Sequence, residues 1–161
     1  MYSSHRQLRP ISSTPLGIPE QDWKIVRNVC RKHGVDPILI VAIGWSETHW
    51  FTRGDGLKGN GLGVGSYDSG SVYTYAGVRK QVRRACEILQ RRKATSIVDV
   101  MEGALHSSGK WVEGKYVGPP GSIKWASADT ADRDFPWTKN VVNTYRRIVR
   151  EFVAPTIEEE S

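Results

Sequence analysis

Glu47 ends an apolar helical run, Ile38-Leu-Ile-Val-Ala-Ile-Gly-Trp-Ser-Glu-Thr-His-Trp50, and a glycine-dense, tyrosine-bearing segment follows almost at once. A carboxylic acid on the last turn of a water-excluding helix is poorly solvated, so its neutral form is favoured and its pKa rises. The helix macrodipole acts in the same direction, because a carboxylate near a helix C-terminus is disfavoured. A carboxyl that keeps its proton near neutral pH is what general-acid cleavage of a glycosidic bond requires. Trp45, Trp50 and Phe51 lie around it, and flat aromatic faces of this kind hold sugar rings. The plainer alternative makes Glu47 a helix-end charge in solvent, against which the flanking aromatics argue.

Other chemistries fit less well. The run Gly59-Asn-Gly-Leu-Gly-Val-Gly65 has no lysine–serine pair after it and no clear strand before it, so no nucleotide site is expected. The histidines at 5, 33, 49 and 106 show no paired metal-ligand spacing and the two cysteines are far apart, so neither a metal nor a cofactor is expected. Ser46 lacks the nucleophile-elbow pattern.

The elements that must position Glu47 are mostly helices. A helix is predicted from Pro19 to about Lys32, with Trp23, Val26 and Cys30 at helical spacing and His33-Gly34 as its stop. Asp36-Pro37 reads as an N-cap followed by proline at the first helical position. The helix it opens runs to about Thr48 and is apolar on nearly every face, the mark of a buried central helix. Alternation in Leu62-Gly-Val-Gly-Ser-Tyr67 predicts a small β-ribbon or extended loop with Asp68-Ser-Gly70 as its turn. A third helix is expected from about Val78 to Arg92, a fourth capped by Ser96 and running through Leu105, and a last one from about Trp137 to Phe152. Residues 107 to 134 read as a long irregular stretch. The fold class is therefore mainly α, with helices around a buried central helix and a small β-ribbon or loop lobe.

With 161 residues, 39% hydrophobic and 25% charged, the chain has the length and composition of one globular domain. Residues 1–18 read as a flexible arm, 19–153 as the folded domain and 154–161 as an acidic tail. Cys30 and Cys86 fall within amphipathic helices and are expected to be buried free thiols. No apolar stretch approaches the ~20 residues that a membrane span needs, and none follows the basic N-terminal residues as a signal peptide would require. The expectation is synthesis in a cytoplasm without membrane insertion. A net charge of +6 favours anionic partners, either nucleic acid or a cell wall carrying carboxylates and phosphates.

Several segments together carry a resemblance. Val41-Ala-Ile-Gly-Trp-Ser-Glu-Thr-His-Trp50 looks like the catalytic helix end of the lysozyme-like superfamily. Gly61-Leu-Gly-Val-Gly-Ser-Tyr-Asp-Ser-Gly70 resembles the glycine-rich ribbon of phage and bacterial peptidoglycan glucosaminidases, and Val78-Arg-Lys-Gln-Val82 resembles their following helix. Trp125-Ala-Ser-Ala-Asp129 and then Trp137-Thr-Lys-Asn-Val-Val-Asn-Thr-Tyr145 resemble their C-terminal motif. Trp125 stands where the family usually has tyrosine, and Thr130-Ala-Asp-Arg-Asp134 is an insertion. The pieces fall in family order across about residues 35 to 150.

The resemblance implies an enzyme of the lysozyme-like class, with Glu47 as general acid and the β-1,4-linked backbone of peptidoglycan as substrate. It implies a wall-directed, virus-associated glycosidase, with no nucleic-acid partner expected. Asp55 and Asp68 are the candidates for a second catalytic carboxylate. A separation of ~6.5–9.5 Å from Glu47 would fit inversion and ~5–5.5 Å retention. Asp68 serves equally well as a turn cap. Tyr67 suits either substrate orientation or core packing. Trp50, Tyr73, Tyr75, Trp111, Tyr116 and Trp125 offer faces for a sugar groove, and since aromatics are mostly core residues, about half should touch substrate.

Overall fold

The computed structural model describes residues 13–64, 77–101, 110–112, 115–117 and 136–153. Helix α1 (Glu20–His33) carries Glu20 and Asp22 in its first turn and Arg31, Lys32 and His33 in its last, each charge complementing the macrodipole. Gly34, at φ 65°, takes the left-handed turn that closes it. Helix α2 (Pro37–Thr48) opens as expected, with the Ile38 backbone N–H donating to Asp36 Oδ1 at 2.9 Å. Every residue from Ile38 to Gly44 is buried, so α2 forms the centre of the core.

Helix α3 (Val78–Arg91) turns Gln81, Val82, Ala85, Cys86, Ile88 and Leu89 inward and packs chiefly on α1. Short α4 (Ile97–Met101) begins with a reciprocal cap in which Ser96 N–H donates to Asp99 Oδ2 and Asp99 N–H to Ser96 Oγ. Helix α5 (Pro136–Ile148) continues into a wider π turn over Val149–Val153 and lies along α2. The Tyr145 hydroxyl donates to Asp36 Oδ2, tying α5 to the cap of α2. The architecture is mainly helical, and among the described residues no helix is long and apolar enough to cross a membrane.

Three expectations need correction or limits. Residues 13–18 belong to the fold and not to a free arm: Thr14, Pro15 and Ile18 are buried, and Thr14 Oγ1 donates to the Ile18 carbonyl at 2.6 Å around a 3-10 turn, Pro15–Gly17. Within the stretch read as irregular, β1 (Lys110–Val112) and β2 (Lys115–Val117) form an antiparallel hairpin with Trp111 opposite Tyr116. The expected ribbon at 62–67 is not a strand over Leu62–Val64, and the rest of it lies outside the described residues.

Cys30 and Cys86 bridge α1 and α3 as free thiols, with Sγ atoms 3.8 Å apart and no exposure. The neighbouring Cys86 thiol and then burial push the Cys30 thiol far above its ordinary range. Neither thiolate is accessible in the folded state. An aromatic disulfide reagent should therefore titrate no thiol in the native protein and both once denaturant unfolds it. Rapid reaction of either thiol without unfolding would contradict this packing.

Candidate active site

Glu47 occupies the last turn of α2, and the backbone after it is unusual. His49, Trp50 and Phe51, none of them glycine, have successive positive φ angles of 47°, 59° and 67°. Left-handed geometry costs a side-chain-bearing residue about 1 kcal/mol or more, so three in a row persist only where surrounding contacts fix them. Those contacts are present. The Trp50 N–H donates to the Gly44 carbonyl at 3.1 Å, and the Phe51 N–H to Thr48 Oγ1 at 2.8 Å. The Thr48 hydroxyl in turn donates to the Gly61 carbonyl at 2.8 Å.

The consequence is a reversal that lays the glycine-rich segment back over the helix end. Fully buried Gln81 on α3 fixes its far side, its Oε1 accepting from the Leu62 N–H at 3.3 Å. Gly63, at φ 73°, then passes directly beside the Glu47 carboxyl. A Cβ placed on Gly63 would meet Glu47 Cδ and Oε2 at 3.1 Å. Glycine suits both the backbone angle and that approach, whereas a side chain would be strained and would press on the carboxyl.

On the other side stands Trp137, in the first turn of α5, whose indole Nε1–H donates to Glu47 Oε1 at 2.7 Å. The carboxyl is thus held between an indole donor and a bare stretch of backbone. Protein packed around it raises its pKa by desolvation, and the Trp137 hydrogen bond opposes this by stabilising the anion. The residue is nonetheless exposed at its surface, so it is not sealed away from water as the sequence suggested. Crowding on several sides and exposure of the residue are compatible, and the close approach of the Gly63 backbone supports the upward direction. Such a carboxyl keeps its proton to higher pH than an ordinary glutamic acid and can deliver it to a molecule reaching it from solvent.

The other expected site residues fare differently. Trp50 is corrected: it is a core residue, 3% exposed, with its indole N–H donating to Asp22 Oδ2 at 2.9 Å and its ring filling the space a Gly44 side chain would need. It presents no face to a groove. Trp45 is half-buried and stacks on His49, with ring centroids 4.8 Å apart. Asp55 is exposed on a 3-10 turn (Gly54–Lys58). Trp111 and Tyr116 are placed opposite each other across the hairpin by backbone register. Tyr67, Asp68, Tyr73, Tyr75 and Trp125 lie outside the described residues.

Two residues gain roles that the sequence reading had not assigned. Trp137 stands there only as the start of the last helix and of the C-terminal motif, and Gln81 only as part of a motif. No family model, curated protein or solved structure matches the chain.

Proposed function

We propose that the chain is a peptidoglycan glycan-strand hydrolase that cleaves β-1,4 bonds between N-acetylglucosamine and N-acetylmuramic acid, with Glu47 as the general acid. The reading includes a bacteriophage or virion-associated setting in which the enzyme acts on the bacterial wall. The observation that carries it is the Glu47 carboxyl itself, oriented by the Trp137 indole and flanked by the Gly63 backbone. In this scheme the neutral carboxyl protonates the glycosidic oxygen as the bond to the anomeric carbon breaks. The departing sugar leaves as an alcohol and positive charge develops on the ring. Tyr67, as an orienting or charge-stabilising phenol, and Asp68, as a second carboxylate, are the proposed partners from the glycine-rich segment.

Digesting purified cell walls and identifying the released fragments by mass spectrometry tests the reading. Fragments ending in a reducing sugar, one water heavier than their anhydro counterparts, support hydrolysis, and the terminal sugar shows which bond is cut. Anhydro ends would assign the same glutamic acid to lytic transglycosylation. No released fragment, together with salt-sensitive polyanion binding, would mean a binding module and end the enzymatic reading.

Trp137→Phe separates the two influences on Glu47. Removing the indole donor takes away the interaction that holds the pKa down, so the acid form should survive to higher pH. The alkaline limb of the activity profile should move up while the maximal rate falls about tenfold, the worth of one well-placed hydrogen bond. A limb that moves down, or an unchanged profile, would show that the indole does not position this carboxyl.

A further inference from the structure

Helix α1 borders a recess away from Glu47. Lys24, Arg27, Asn28 and Arg31, together with Val35 and Pro37 beyond the helix, line a recess of about 570 Å³. Its three cations recur at i, i+3 and i+7, one stripe about 10 Å long on the helix. No carboxylate among the described residues forms an ion pair with any of them. Arg27 lies 5.4 Å over the ring of Trp23, which is itself buried, so the guanidinium rests on a fixed surface. Asn28 Oδ1 is buried, with no hydrogen-bond partner among the described residues.

The recess on α3 offers a contrast. It is lined by Lys80, Arg83 and Arg84, but Glu87 also lines it and takes Arg84 at 3.3 Å. Its positive charge is partly spent within the helix. The α1 recess keeps its own.

We propose that the α1 recess binds a phosphate ester of a polyol or sugar, as repeated along anionic wall polymers. The phosphate oxygens accept from Arg27, Arg31 and Lys24, a geometry for which guanidinium groups are suited. The Asn28 amide borders the same recess. The carbon chain lies on Val35 and Pro37. The volume falls within the range of about 300–1,000 Å³ typical of small-ligand sites. Two helical turns address one or two phosphates, fewer than the roughly 6–10 contacts of a salt-sensitive nucleic-acid surface. The wall as the source of the ligand rests on the function proposed above. The ligand chemistry does not.

Calorimetric titration of the full chain with soluble poly(glycerol phosphate), at fixed ionic strength, tests the site. Arg27→Ala with Arg31→Ala and Lys80→Ala with Arg83→Ala each remove two positive charges, and retained melting temperatures show that both are folded. The first pair should weaken polymer binding at least about tenfold and the second less than about twofold. Glycerol phosphate should bind more tightly than inorganic phosphate, because its carbon chain gains contact with Val35 and Pro37. Equal losses from the two pairs would reduce the effect to the overall positive field and overturn the site. Tighter, Arg27- and Arg31-dependent binding of duplex DNA would replace it with a nucleic-acid site. A wild-type chain that binds polymer through this recess but releases no wall fragment would end the enzymatic reading alone. Wall digestion alongside Arg27- and Arg31-independent polymer binding would end only the recess proposal.

Discussion

Glu47→Gln should abolish wall digestion and leave the protein as stable as before, or more so. Removing a general acid costs about 10²–10⁴-fold in rate, and the amide cannot supply the proton. Glutamine preserves the shape and an oxygen that can still accept from Trp137 Nε1. The stability sign follows from the raised pKa. Between the ordinary glutamic acid value of about 4.3 and the higher folded one, the native state binds more protons than the unfolded chain. Glu47's contribution is therefore fully present below the unfolded pKa and is lost as pH rises through the folded one. At neutral pH the ionised carboxylate is at a disadvantage in its crowded surroundings, and glutamine removes that disadvantage. Thermal melts of the two proteins should show the variant's relative gain growing from acid to neutral pH. A variant that digests walls at the wild-type rate would remove Glu47 from the mechanism. One that unfolds would point to a structural carboxylate.

Gly63→Ala should damage the site through geometry alone. The new methyl would sit 3.1 Å from Glu47 Cδ and Oε2, inside normal contact, on a backbone at φ 73°. Either the carboxyl swings away from Trp137 or the glycine-rich segment lifts. A shift of a few tenths of an ångström at a reacting group should lower the rate, by less than the roughly 10²-fold that a 1 Å misplacement costs. The left-handed angle adds about 1 kcal/mol of destabilisation. Larger residues such as valine should worsen both effects. Wall-digestion rates and denaturant melts check this together. Near-wild-type activity in Gly63→Val would show that the segment does not lie against the carboxyl during turnover.

The parts of the fold legible in the sequence are those governed by local rules. Asp36-Pro37, His33-Gly34 and the inward stripes of α1 and α3 combine capping with helical periodicity, and their boundaries emerge within a residue or so. Trp50 shows where that logic ends. It is three residues from Glu47, yet successive left-handed residues swing it into the core, and no propensity signals such a run in non-glycine residues. Trp137 meets Glu47 across 90 residues, a contact that periodicity cannot encode. Thr14 and Ile18 hide in a Ser-, Pro- and Gly-rich stretch whose composition suggests a loose arm while its apolar residues seal the core. The Lys-Trp-Val and Lys-Tyr-Val triplets of the hairpin do not alternate polar with apolar residues, and three residues each are too few to stand out.

Everything proposed for the active site depends on Glu47 holding a proton above the usual carboxylate range. Carbon-13 NMR of selectively labelled glutamate, assigned through the Glu47→Gln spectrum, reads that pKa directly, and the rate of wall digestion can be followed over the same pH series. The expected result is a Glu47 titration midpoint above about 4.3 that coincides with the alkaline limb of free-enzyme activity. An ordinary midpoint, or an activity limb that ignores the titration of Glu47, would contradict the assignment of this residue as the acid.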